Sequence, residues 1–303
     1  MALPVIHHPS YEVDIGPHVF LTAKYRLVRT RLLDEGAIHS KDIVEPELAT
    51  DDDVARVHAR EYLEKITGGR LSASEQIQLE VPFSQSLRAA MWRCAGGSIT
   101  AGVLASERGL AVHLGGGFHH AFPGHGEGFC LIHDVAIAIR RLQADGTICR
   151  AAVIDLDVHH GNGTAAIFAD DPDVFTFSMH QEHNYPAWKP PGDLDIPLAD
   201  ATEDDEYLKQ LNAHLPAIIA HHQPQLVFYL AGADPYREDQ LGGLALTLEG
   251  LRQRDEIVLS QLHAAGVPTV VTLAGGYARN PDDTVTIHCN TVRTAAALAG
   301  DEE

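Results

Sequence analysis

Three residues in the second half of the chain, Asp157, His159 and Asp234, have the types and placement to hold one metal ion. Asp157 and His159 stand two apart at the end of the apolar run AAVIDL, and alternate residues of a strand point the same way. Asp234 follows a second apolar run, LVFYLA. Two carboxylates and an imidazole leave positions for water and a substrate oxygen, as a hydrolytic metal site requires. On its own an Asp-x-His at a strand end is more often a hydrogen-bonded turn. The metal reading gains from what lies at the ends of other apolar runs: the pair His119–His120 after GGGF, and Tyr277 after AGG. A neutral imidazole can take a proton from water and return it to a leaving amine, and a tyrosine hydroxyl can donate to a developing oxyanion.

These groups are distant in sequence, so the fold must gather them. Short runs rich in β-branched and apolar residues read as buried parallel strands at Pro4–Ile6, Leu110–Leu114, Ala151–Leu156, Val174–Ser178, Leu226–Ala231 and Thr269–Leu273. Helical patterns lie between them, at Phe20–Glu35, Gln85–Ser106, Leu131–Ala144, Glu203–His222, Leu248–Ala264 and Asp283–Ala299. Strand alternating with helix implies an α/β fold with a mostly parallel central sheet flanked by helices. With no linker or internal repeat, residues 1–303 read as a single domain. Five strands run into polar, glycine-rich loops: GGGFHH, DVHHGNG, MHQEHNYP, GADPY and AGGY. Ligands of open parallel sheets bind beyond the carboxyl ends of the strands, so these five loops are expected to meet at one site.

Composition narrows the partners. Twenty-two Lys and Arg stand against 42 Asp and Glu, a formal charge of −20, which opposes the basic stripe that nucleic acid needs. A 45% hydrophobic content suits a folded core. Cys94, Cys130, Cys149 and Cys289 form no CxxC pair and point to a reducing compartment. The opening MALPVIHHPSYEVD lacks a basic region followed by an apolar run, and no apolar stretch approaches the ~20 residues that span a bilayer. The expectation is a cytoplasmic protein with no membrane contact. The remaining histidine pairs, His7–His8 and His221–His222, lack nearby glycines and read as solvated or structural.

The motifs GGGFHH, GEGFC, IDLDVHHGNGT, AGAD and AGGY resemble, in the same order, those of the zinc-dependent histone deacetylase superfamily. The segments TEDDEYL and DQLGGLALTLEGLRQRDEIV resemble most closely its class IV branch and bacterial relatives. The resemblance covers nearly the whole chain and implies the arginase/deacetylase-type fold. It makes Asp157, His159 and Asp234 the ligands of one Zn2+, with Fe2+ an alternative suited to the same atoms. It makes His119 and His120 the catalytic pair, Asp155 the aspartate orienting His119, and Tyr277 the donor to the substrate carbonyl. Phe129, Tyr185 and Leu241, with Gly128, Gly275 and Gly276, become the tunnel for an acyl-lysine side chain. A structural K+ or Na+ would sit among groups of Asp155, Asp157, His159, Ser178 and Met179. The implied substrate is Nε-acyl-lysine in a protein or peptide, or a small acyl amide, with chains longer than acetyl accepted by class IV-like relatives.

One departure bears on mechanism. Asn162 stands where the family often has an aspartate behind the second histidine, an asparagine that class IV-like members share. His120 is therefore expected to be less readily protonated than His119. Three rivals remain: an acetylpolyamine hydrolase, a dimanganese ureohydrolase and a non-catalytic acyl-lysine binder. The ureohydrolase needs further carboxylates, yet Gly161, Gly232 and Tyr236 occupy the positions two residues from His159 and Asp234. The sequence does not fix the oligomeric state.

Overall fold

Eight strands form one parallel sheet in the computed structural model, which describes residues 3–300. In chain order the elements are β1 (Val5–Ile6), α1 (Lys24–Asp34), β2 (Ile43–Val44), α2 (Asp51–Val54), α3 (Arg60–Thr67), α4 (Ala73–Leu79), α5 (Gln85–Arg108), β3 (Leu110–His113) and α6 (Asp134–Ala144). There follow β4 (Ala151–Asp155), α7 (Asn162–Phe168), β5 (Val174–Gln181), β6 (Leu194–Leu198), α8 (Asp204–His222), β7 (Leu226–Leu230), α9 (Leu248–Ala264), β8 (Thr269–Thr272) and α10 (Pro281–Gly300). The strand order is β2-β1-β3-β8-β7-β4-β5-β6.

Side-chain alternation along the strands builds a separate core on each face of the sheet. Ala152, Ile154, Val227, Tyr229 and Val271 face one side, under α1, α8, α9 and α10. Ala151, Val153, Leu226, Phe228 and Val270 face the other, under α6 and the second half of α5. Burial on both faces explains why these strands read as unbroken apolar runs.

All six expected strands form, and the two that the sequence concealed are the edges. β2 has only two residues, and β6 is the half-exposed LDIPL with Pro197 inside it, a residue that sheets tolerate at an edge. One boundary needs correction: β5 runs on through Gln181, so Met179 and His180 are strand residues and not loop. Pairing with β6, from Phe177–Leu194 to Gln181–Leu198, carries the strand past Ser178. The first helix begins at Lys24 and not at Phe20.

The histidine pairs away from the site serve the fold. His7 is buried, and burial foremost pushes it down to about 4. His8 Nδ1 accepts from Ser10 N at 3.1 Å, capping a short 3-10 turn, and His222 Nε2 donates to Ala151 O at 2.8 Å. Among the described residues no helix is long and apolar enough to cross a membrane.

Candidate active site

The central strands end in register. His113, Thr272, Leu230, Asp155 and Ser178 lie side by side across β3, β8, β7, β4 and β5. Each following loop therefore leaves the same edge of the sheet. Beyond it, ligand-type atoms of Asp157, His159 and Asp234 lie within 4.8 Å of one another, and all three residues are buried. His159 Nδ1 stands 3.0 Å from Asp157 Oδ1 and 3.4 Å from Asp234 Oδ2. Bonds of ~2.1 Å at tetrahedral angles place ligand atoms ~3.4 Å apart, so the group fits one small divalent ion.

The remaining atoms of the two carboxylates are taken up by the backbone. Gly275 N donates to Asp157 Oδ2 at 2.8 Å, His159 N to Asp157 Oδ1 at 3.0 Å, and Val158 N to Asp234 Oδ1 at 2.9 Å. Asp234 Oδ2 is buried without a hydrogen-bond donor of good geometry. A buried carboxylate oxygen left in this way is costly unless a cation completes it. Burial, then the charge of Asp157, raises Asp234 to about 7.

The histidine pair comes from the loop after β3. His119 Nδ1 donates to Asp155 Oδ2 at 2.7 Å, while His120 Nδ1 lies 2.7 Å from Asn162 Oδ1. Burial opposes charge on His119, but Asp155 and Asp157 outweigh it and raise the ring to about 9. For His120, burial acts with the neighbouring His119 and His159 to push the ring well below its ordinary value. The expected order of protonation is thus reproduced.

A cavity of about 230 Å³ opens above this floor, lined by His120, Gly128, Phe129, His159, Tyr185, Leu241 and Tyr277. Glu80 and Asn184, which the sequence did not single out, line it as well. Gly128 (φ 51°) and Phe129 (φ 69°) are both left-handed, and their N–H groups donate to Gln78 O at 3.2 Å and Leu79 O at 2.9 Å. That reversal turns the Phe129 ring toward Tyr277, 5.8 Å away between centroids. Gly275 lines a smaller inner recess of about 30 Å³, beside His119, His120, Asp157 and Tyr277. Gly276 lines neither cavity, since it packs against Ala233 and Thr284. The recess has room for one or two water-sized groups.

The residues suggested for a monovalent cation surround the β4–β5 pair: Asp155 and Ser178 are neighbours in register, and Met179 is buried in β5. Ser178 Oγ is itself hydrogen-bonded to His180 Nδ1 at 3.0 Å. A second cluster of ligand types, His160, His180 and Asp195, lies close by. His160 Nε2 donates to Asp195 Oδ1 at 3.1 Å and Gly192 N to Asp195 Oδ2 at 2.8 Å, while His160 Nδ1 is buried without a hydrogen-bond partner.

Several buried charged residues that shape the site escaped the sequence reading. Asp134, at the start of α6, accepts from Phe118 N at 2.8 Å and Gly117 N at 3.1 Å, fixing the loop that carries the histidines. Asp239 accepts from Tyr277 N at 2.6 Å and Leu241 N at 2.8 Å, tying together two loops that line the cavity. Arg254 Nη1 donates to Gly232 O at 2.6 Å, and Lys24 Nζ to Ala274 O at 2.7 Å. An Asp opening an apolar helix, as in HDVAIAI, and an Asp before Gly-Gly, as in DQLGG, were the available signals.

Residues 18–292 match the histone deacetylase domain as a family. The chain belongs to the histone deacetylase family. It is 32% identical to histone deacetylase 2 of Arabidopsis thaliana, over 91% of this chain and 75% of that one. It is 30% identical to the acetoin utilization protein AcuC of Bacillus subtilis, over 90% of this chain and 76% of that one. An uncharacterised protein of Picosynechococcus is 43% identical over 95% of this chain and 96% of its own. The fold matches the HDA15 HD domain crystal structure with a TM-score of 0.80 at 21% identity, over 99% of this deacetylase-family chain and 88% of that one. Membership makes hydrolysis of an acyl amide the general activity.

Proposed function

We propose that the chain is a zinc-dependent hydrolase of Nε-acyl-lysine in proteins or peptides, acting as one catalytic domain over residues 1–303. The observation that carries this reading is the meeting of Asp157, His159 and Asp234 with His120 and Tyr277 at the floor of a cavity walled by Phe129 and Tyr185. Zinc, or ferrous iron, held by Asp157, His159 and Asp234 would supply Lewis-acid polarisation of the acyl carbonyl and a water of lowered pKa.

The chain's own groups perform the rest. His120, kept neutral, takes the proton of the attacking water and returns it to the departing amine. Tyr277 donates its hydroxyl to the acyl oxygen as negative charge develops there. Burial, then Asp157 and Asp234, hold that hydroxyl well above its ordinary pKa, so it stays a donor. Phe129 and Tyr185 cover the lysine alkyl chain and exclude water from it. The small inner recess favours acetyl over long acyl groups. The segments TEDDEYL and DQLGGLALTLEGLRQRDEIV support a class IV-like, bacterial-type member. Four unpaired cysteines support a reducing, cytoplasmic setting.

Turnover of acyl-lysine peptides from acetyl to myristoyl, with acetylpolyamines alongside, tests this reading on protein carrying one equivalent of zinc. Acetyl-lysine is expected to be the best of the series. Asp157→Ala and Asp234→Ala should lose both metal and activity, whereas Tyr277→Phe should keep the metal and lose ~10²–10³ in kcat. Two equivalents of manganese with turnover of arginine or agmatine would sink the proposal.

A further inference from the structure

We propose that Glu127 fixes the tautomer of His120 through Asn162, as a positioning residue one hydrogen bond further out than the aspartate behind His119. Its kinetic consequence rests on the deacylase reading above; its structural consequence rests on geometry alone. His120 Nδ1 lies 2.7 Å from Asn162 Oδ1, and Asn162 Nδ2 donates to Glu127 Oε1 at 2.7 Å. A carboxylate can only accept. It therefore draws the amide NH2 of Asn162 to itself and leaves the amide oxygen, another acceptor, facing the ring. The ring nitrogen opposite an acceptor must carry the hydrogen. His120 is thus held as the Nδ1–H tautomer, and Nε2 keeps the lone pair that a general base needs.

Asn162 could not impose this alone, because an unsupported amide offers the ring either its oxygen or its nitrogen. Glu127 is secured for the task. Its Oε2 accepts from Gln78 Nε2 at 2.9 Å and stands 3.3 Å from His125 Nε2, and the Tyr185 hydroxyl also donates to the carboxylate. Burial opposes its charge, but the donors His125, Asn162, Gln78 and Tyr185 outweigh burial and hold it at about 2. Glu127 also joins the base to the tunnel wall, since Tyr185 lines the cavity and meets His120 edge-on at 4.9 Å between centroids.

Glu127→Gln tests the relay, because it replaces an obligate acceptor with a group that both donates and accepts. The amide pair can then reverse and populate the Nε2–H ring. In the zinc-loaded chain labelled with 15N-histidine, the wild type is expected to show His120 as Nδ1–H, and the variant a large Nε2–H fraction. In turnover, kcat should fall about tenfold to a hundredfold with KM and zinc content unchanged. In an Asn162→Ala background the same substitution should change kcat less than about twofold, the link being already cut. Glu127→Ala, which frees the Asn162 amide to turn, is the second variant should the first not fold, with the same tautomer shift expected. An Nε2–H wild type, an unmoved tautomer in the variant, or equal losses of kcat in both backgrounds would overturn the relay. A wild type with the expected tautomer but no acyl-amide turnover would remove the deacylase reading and leave the relay standing.

Discussion

His119 and His120 are adjacent in sequence, and their rings lie 4.0 Å apart between centroids, yet the two halves of the site they define differ in kind. Behind His119 is a carboxylate in direct contact, Asp155, and His119 Nε2 is also 3.8 Å from Asp157 Oδ1. Behind His120 is a neutral amide, Asn162, with the carboxylate of Glu127 beyond it. The first arrangement favours imidazolium, and the second favours the neutral ring. In the proposed reaction the group behind each ring would give two like residues separate duties, an electrostatic role for His119 and proton transfer for His120.

The largest test of that division is truncation of each ring. His120→Ala is expected to lower kcat ~10³-fold, the scale of a missing general base. His119→Ala should cost substantially less, because it removes a charge near the site and not the acceptor of the proton. Steady-state kinetics with zinc content measured in each variant decides the matter. Equal losses would mean that the rings share one duty.

A smaller effect is expected from moving charge between the halves. A carboxylate against His120 favours its protonated form, so the ring holds its proton to higher pH, and a base must be free of it to act. Asn162→Asp should therefore shift the acidic limb of kcat/KM upward. The new carboxyl also faces Glu127 Oε1, where the amide nitrogen stood at 2.7 Å, and two carboxyls so placed share a proton. Asn162→Asp combined with Glu127→Gln moves one negative charge inward without that repulsion, and there the shift should reach about one pH unit. An acidic limb unmoved in both variants would remove His120 from the role of base.

This contrast was half legible in the sequence. GGGFHH, DVHHGNG and AGGY placed the histidines, Asn162 and Tyr277 at strand ends, and strand alternation paired Asp157 with His159. Those signals are local, so they survive without coordinates. Glu127 is 35 residues from Asn162, and Asp239 is 38 from Tyr277. The DQLGG turn hints that Asp239 matters, but neither spacing nor periodicity tells which distant loop either carboxylate accepts from. The edge strands β2 and β6 were hidden for a related reason, since half-exposed residues break the apolar run that marks a central strand. The inner recess was legible in part: Phe118 and Ala274 belong to GGGFHH and AGGY, whereas Phe20 and Tyr25, which line it beside them, lie in no motif.

The smallest expected effect concerns stability in acid, and it separates the two halves without any substrate. Glu127 sits at about 2 in the folded chain against an ordinary value of 4.5, so the folded state binds its proton less readily than the unfolded state. A carboxyl depressed in this way contributes stability that is complete above 4.5 and is lost as pH falls through about 2. Glu127→Gln cannot titrate, so the gap in melting temperature between wild type and variant should be widest above pH 5 and close steadily toward pH 2. Subtracting the two curves cancels the other carboxyls of this acidic chain. Parallel curves across the range would show that Glu127 is not held ionised by its donors, and the outer carboxylate behind His120 would then lose the charge on which its hold over Asn162 depends.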